Sequence, residues 1–185
     1  YFLVGPGVFN TQTNLIVTGP PLFQYAGYKN IESIYSSPQL KTAVALPVAG
    51  EINYTFAKSK TQLFYGNRLE DLLRMDVPFG FGVRKELKDS SILALSIITT
   101  PARLRLWKDP YVENEDREPT SLRFPGVRLT WESIFKTGLE ISATYRIVRL
   151  DVEKSGEALI TQSSLTPYQQ QLLFRDGSVL RLQAS

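Results

Sequence analysis

The sequence predicts an all-β protein, an antiparallel up-and-down transmembrane β-barrel of about eight strands, and three observations carry that prediction. Segments of alternating polarity recur along the chain, their connections fall into a short and a long class, and no apolar run is long enough for a membrane-spanning helix. The longest such run, Ile92 to Ile98, is far below the roughly 20 residues a spanning helix needs. The 185 residues fit a single domain, 1–185. Because the chain ends inside an alternating run at Gln183-Ala184-Ser185, further strands are expected to follow.

Gly126 to Arg149 shows the pattern best. Val127, Leu129 and Trp131 alternate with Arg128, Thr130 and Glu132; Leu139, Ile141, Ala143, Tyr145 and Ile147 alternate with Glu140, Ser142, Thr144 and Arg146. Successive strand side chains point to opposite faces, so each half has one apolar and one polar face. The break at Ser133 to Gly138 makes the pair an antiparallel hairpin, with Gly138 offering positive φ. Alternation alone leaves the facing open. In a soluble protein the apolar face packs on a core, whereas in a membrane barrel it meets lipid and the charges line the lumen.

Taken in order, Tyr1 to Phe9 reads as a strand or arm kinked at Gly5-Pro6-Gly7, and Asn10 to Thr42 as a long loop with Leu15-Ile16-Val17 strand-like. Val44 to Phe56 reads as one long strand, with Pro47 as its difficulty because proline lacks a ladder donor. After a tight turn at Ala57 to Lys60 come a strand at Thr61 to Gly66 and a single helical turn within Asn67 to Met75. Val77 to Arg84 alternates apolar residues with Gly80 and Gly82, leaving room inside a curved wall. A turn at Leu87 to Ser90 precedes a strand from Ser91 to Leu106 that shifts phase near Pro101. Trp107 to Leu122 and Leu150 to Leu165 read as polar loops. Thr166 as N-cap and Pro167 at the first helical position start a short helix to Phe174 stopped by Gly177, and Val179 to Ser185 is a last strand.

Following the strands up and down sorts the connections. The turns at 57–60, 87–90 and 133–138 share one rim, and the connections at 10–42, 67–75, 107–122 and 150–177 share the other. Outer-membrane barrels show this asymmetry, although an open-mouthed soluble barrel shares part of it. The expected lipid-interface aromatics are Tyr54, Phe56, Trp131, Phe135 and Tyr145, with Tyr65, Trp107, Tyr111 and Phe124 toward the loop rim. The expected lumen-facing charges are Glu51, Arg84, Glu86, Arg128, Glu132, Glu140 and Arg146, setting ion preference or pairing to plug the lumen. The bland alternative places them on the solvated outside of a soluble sheet.

The residues TQLFYGNRLEDLLRMD (61–76), DPYVENEDRE (109–118) and GVRLTWESIF (126–135) resemble a Gram-negative family catalogued as domain of unknown function 2860. The resemblance implies an outer-membrane location and a longer barrel of which this chain is the N-terminal part; it implies no catalytic residue.

The remaining chemistry is sparse. Histidine and cysteine are absent, which removes His-based triads, thiolate nucleophiles, disulfides and His/Cys metal sites. No enzyme, cofactor or metal site is expected. The carboxylates Asp109, Glu113, Glu115, Asp116 and Glu118 fit no Ca²⁺ loop and read as a solvated loop. Glu132 and Glu140 face each other across the hairpin without a substrate-binding context. Gly5, Gly7, Gly80 and Gly82 match no phosphate loop, and the sequon Asn53-Tyr54-Thr55 lies mid-strand. A net charge of +3 without a basic run argues against nucleic acid. The expected partners are outer-membrane lipids and small solutes, and the expected function is a passive pore. Two alternatives stay open: a non-conducting barrel presenting binding or adhesion loops, and a soluble ligand-binding β-barrel.

Overall fold

The computed structural model describes residues 1–18, 27–38, 40–46, 48–68, 78–99, 104–162 and 164–185. Across them runs an antiparallel sheet curled into a half-barrel. Its strands are β1 (Phe2–Val4), β3 (Ile16–Thr18), β5 (Val48–Phe56), β6 (Thr61–Gly66), β7 (Phe79–Glu86), β8 (Ile92–Thr99), β9 (Leu104–Trp107), β10 (Pro119–Arg123), β11 (Gly126–Glu132), β12 (Ile141–Leu150) and β13 (Gly177–Ala184). A separate ladder joins β2 (Gly7–Gln12) to β4 (Leu40–Ala45). The main sheet runs β1-β5-β6-β7-β8-β11-β12, with β13 on the far side of β12; β10, β9 and β3 continue the wall above β11 and β8. Among the described residues the ladders do not close, so the expected closed barrel is here a half-barrel.

Alternation becomes geometry through the register. Ile52, Tyr65, Phe81, Ile97, Val127, Tyr145 and Leu180 are successive cross-strand partners, and so are Tyr54, Leu63, Val83, Leu95, Leu129, Ala143 and Leu182. Both rows lie on the convex face and are largely exposed, with Ile52 at 77% and Leu95 at 54%. The intervening rows turn inward. One runs Asn53, Phe64, Gly82, Ser96, Arg128, Thr144 and Arg181, the next Thr55, Gln62, Arg84, Ala94, Thr130, Ser142 and Gln183. Arg128 and Arg146 are only 8% and 7% exposed. The wall is therefore largely polar on its concave side and apolar on its convex side.

Several boundaries differ from the sequence expectation. The single strand expected over Val44 to Phe56 is two strands in different ladders, β4 ending at Ala45 and β5 starting at Val48. Pro47, the expected difficulty, itself lies outside the described residues. The same applies to the helical turn expected within 67–75 and to the phase shift at Pro101, most or all of whose residues are not described. The expected loops are shorter than drawn, since β2, β3 and β4 take parts of 10–42 and β10 takes 119–123. In the 133–138 turn, positive φ falls on Ser133, Phe135 and Lys136 and not on Gly138. Gly177 opens β13 and does not stop the helix.

Two short helices lie on the loop side, α1 (Glu157–Thr161) and α2 (Pro167–Gln171). α2 carries the expected cap: Gln169 N–H donates to Thr166 Oγ1 at 3.3 Å, while Thr166 N–H donates to Gln169 Oε1 at 2.9 Å. α1 was not expected. Its N-terminus is capped from a distant loop by Asp109, whose carboxylate accepts from Gly156 N–H at 3.0 Å and Ala158 N–H at 2.8 Å.

Close inward packing makes Gly82 a sensitive position. A Cβ there would stand 2.4 Å from the Leu95 carbonyl oxygen and 2.6 Å from Phe64 Cζ. Gly82→Val is expected to destabilise the fold by about 1–3 kcal/mol, measured as a shifted midpoint in chemical unfolding followed by tryptophan fluorescence.

Candidate functional site

The concave face gathers charges from strands far apart in sequence. Arg84 on β7 donates through both terminal nitrogens to Glu51 on β5, at 2.6 Å each, and to Gln62 Oε1 at 3.1 Å. Its guanidinium lies 3.9 Å from the Phe64 ring centroid. The bidentate geometry and the aromatic stack hold the arginine rigidly. Arg128 Nε donates to Thr144 Oγ1 at 3.0 Å. Arg146 donates to the Phe124 carbonyl at 3.2 Å and stacks on its ring at 4.5 Å.

The central member is Arg68, which the sequence did not single out. It sits just beyond β6 and donates to Glu140 at 2.7 and 3.1 Å and to Glu132 at 3.1 Å. On a flat sheet this contact cannot form. Gly66 is in register with Gly126 through β7 and β8, and Glu132 lies six residues farther along β11. That offset is about 20 Å along the strands plus three inter-strand spacings of roughly 4.8 Å. The chain beyond β6 instead carries Arg68 onto the concave side, where it lines the same cavity as Arg84 and Glu132.

The sequence-predicted residues divide accordingly. Glu51, Arg84, Arg128, Glu132, Glu140 and Arg146 share the concave side with Arg68. Glu86 is on the same side by register, in the row of Ile92 and Glu132, but at the short-turn rim it pairs with Lys60 and not with the arginines. Tyr54, Phe56, Trp131, Phe135 and Tyr145 are all exposed on the outside, and Tyr54 and Phe56 meet edge to face at 4.9 Å. Trp107, expected at an interface, is instead 1% exposed and covered by Arg117 at 4.6 Å. Packing between Arg68, Arg84, Phe64 and Pro78 leaves a cavity of about 30 Å³ on the concave side, room for isolated waters and little else.

At the long-loop rim a second set of contacts locks the loops together. Arg117, 1% exposed, donates to the carbonyls of Asn14 at 2.9 Å, Pro110 at 3.4 Å and Tyr28. Burial pushes its guanidinium down to about 10. Backbone bonds from Asn114 to Ile31 and from Arg117 to Lys29, at 2.8 Å each, join the same two segments. Glu113 accepts from Ile34 N–H at 2.6 Å, and Asp116 pairs with Lys29 at 2.6 Å. The acidic loop expected to be solvated is thus partly a docking edge. Farther along, Arg175 binds Glu153 at 2.9 Å and the carbonyls of Trp107 and Lys108 at 2.8 and 3.1 Å. No group of His, Cys, Asp or Glu among the described residues could hold a metal ion.

Two outcomes follow from these ties. Arg68→Ala strands two carboxylates in a partly buried position. A loss of about 2–3 kcal/mol is expected, less than for a fully buried pair because the three groups retain some exposure. A double-mutant cycle with Glu140→Gln in equilibrium unfolding checks it, with partial recovery expected in the pair. The second concerns Glu153, whose carboxyl burial raises while hydrogen bonds from Arg175 and Ser155 outweigh that and hold it below its usual value of 4.5. A depressed folded value gives stability that is full above the unfolded value and lost as pH falls through the folded one. Acidification from about pH 6 to about pH 3 is therefore expected to loosen residues 151–176, read as faster amide exchange there, and Glu153→Gln should flatten that response.

A search of curated proteins and a search of solved structures each found no match to this chain. The family model described as "Protein of unknown function (DUF2860)" matches residues 4–185, and the chain belongs to that family.

Proposed function

We propose that the half-barrel is the wall of a β-barrel in the bacterial outer membrane, with its convex face toward lipid and its long loops presented as a binding surface. The observation that carries this reading is the inverted polarity of the wall: in-register rows of exposed apolar side chains outside, buried charge inside. Water makes such a convex face unfavourable, whereas hydrocarbon makes it the stable arrangement. A strand of eight to ten residues, as in β7, β8 and β12, also approaches or meets the length a tilted membrane strand needs.

The interior argues for the closed form of that barrel. Ion pairs from Arg68 and Arg84 cross the concave side and leave a cavity of about 30 Å³ between them, which supports a lumen obstructed by side chains. Interlocked loops around Arg117 give the opposite rim a defined surface. A passive pore for small solutes is the second reading, favoured by the polar lining of the concave wall.

Reconstitution separates them. The purified protein is expected to need detergent, to float with lipid vesicles, and to leave a planar bilayer sealed. Stepwise conductance would replace the closed reading with the pore, and solubility without detergent together with failure to float would overturn both. A substitution gives a sharper test of the convex face. Leu95→Arg, in the middle of the exposed belt, is expected to cost about 2–4 kcal/mol in a bilayer. On a water-facing surface the same change would stay within about 0.5 kcal/mol.

A further inference from the structure

The convex face changes character at the long-loop end of β10 and β12. Arg123 and Arg149 are direct cross-strand partners, and both are exposed on the side that carries Val127, Leu129, Trp131, Tyr145 and Ile147. Arg105 stands diagonally beside them, opposite Ser121 on the same face. Like charges placed directly opposite each other repel and destabilise a ladder. Asp151 pairs with Arg123 at 2.9 Å, and Asp176, next to Arg149 across β12, accepts from Leu150 N–H at 2.7 Å; neither forms an ion pair with Arg149 among the described residues. Two features then coincide. A cationic row without enough counter-charge occupies the ladder, and it lies one inward-outward repeat beyond Ile147, where the apolar belt ends.

An anion located at the edge of a hydrocarbon layer would meet both requirements. We infer that Arg123 and Arg149, assisted by Arg105, bind the phosphate headgroup of a membrane lipid at the long-loop rim. The inference rests on the membrane reading above and adds the lipid class to it. The acyl chains of such a lipid would lie along Tyr145, Val127 and Ile147, while its phosphate takes charge-assisted hydrogen bonds from the two guanidinium groups. Arginine suits this better than lysine, because its planar fork grips a phosphate with two parallel donors. The opposite rim offers a built-in comparison, since the convex face there carries the exposed cation Lys85 with Leu93 as its cross-strand partner and no facing second cation.

The test is lipid retention by the full chain in detergent, read by native mass spectrometry with phosphatidic acid, a lipid bearing a phosphomonoester, against phosphatidylcholine. The wild-type protein should keep phosphatidic acid in preference. Arg123→Ala with Arg149→Ala should lower that retention roughly tenfold, with Lys85→Ala leaving it unchanged. Vesicle flotation run in parallel separates the two levels of the argument. If wild type fails to float, the membrane reading falls and the lipid site with it. If it floats but the double variant keeps phosphatidic acid as well as wild type does, the lipid site alone is overturned. Equal loss in Lys85→Ala would reduce the effect to general surface charge, and displacement by millimolar inorganic phosphate alone would reassign the site to a free anion; either outcome also overturns the inference.

Discussion

A charge withdrawn from water needs a partner of opposite sign, and the concave wall of this protein is arranged around that requirement. Arg84 finds Glu51 two strands away, and Arg68 finds Glu132 and Glu140 across the coiled face. The second set couples distant parts of the chain most strongly. It joins the segment beyond β6 to the hairpin of β11 and β12, more than sixty residues later, across the concave face. Glycines on the inner rows serve the curvature of that face. At Gly82 the neighbouring strand and the Phe64 ring come so close that a side chain has no space, and that ring is the surface on which Arg84 stacks. Charge pairing, close approach and curvature are thus one arrangement.

The loop rim solves a similar problem by different means. Arg117 is held by three backbone carbonyls, those of Asn14, Tyr28 and Pro110, with Trp107 beneath it. A guanidinium has enough donors to satisfy several carbonyls at once, which lets one buried residue organise loops with little regular structure of their own. Asp109 acts in the complementary sense, since its carboxylate supplies the cap that the glycine at the start of α1 cannot. Arg175 and Glu153 tie the segment after α2 back to the same region. The loops form a connected layer above the wall, and the DUF2860 family match, which spans residues 4–185, covers both.

Period-two alternation does opposite things on the two faces, and the arginines show it. Arg128 and Arg146, on inward positions, are buried and hydrogen bonded; Arg123 and Arg149, on outward positions at the loop end, are exposed. Arg146 and Arg149 even share β12, three residues apart, and parity along the strand decides their environments. This is also why the convex face has a defined edge, with apolar rows giving way to cations within one repeat beyond Ile147.

The sequence alone determined what is local. Alternation identified the faces of β5 to β8 and β11 to β13, the tight turns at 57–60 and 87–90 fell where composition places them, and Thr166-Pro167 marked a helix start that a capping box completes. The seven charges assigned to one face share it by register, Glu86 in the row of Ile92 and Glu132, because side-chain direction in a strand depends on sequence spacing. Tertiary structure decided the rest. Glu86 took Lys60 as its partner at the rim; Trp107 became buried because Arg117 and the segment at Gly27 cover it; α1 gained a cap from Asp109 in another loop. Arg68 is the clearest case. Nothing in its neighbourhood marks it, since its partners are 64 and 72 residues away and meet it only across the concave face of the folded wall, a property of the whole sheet and of no single strand.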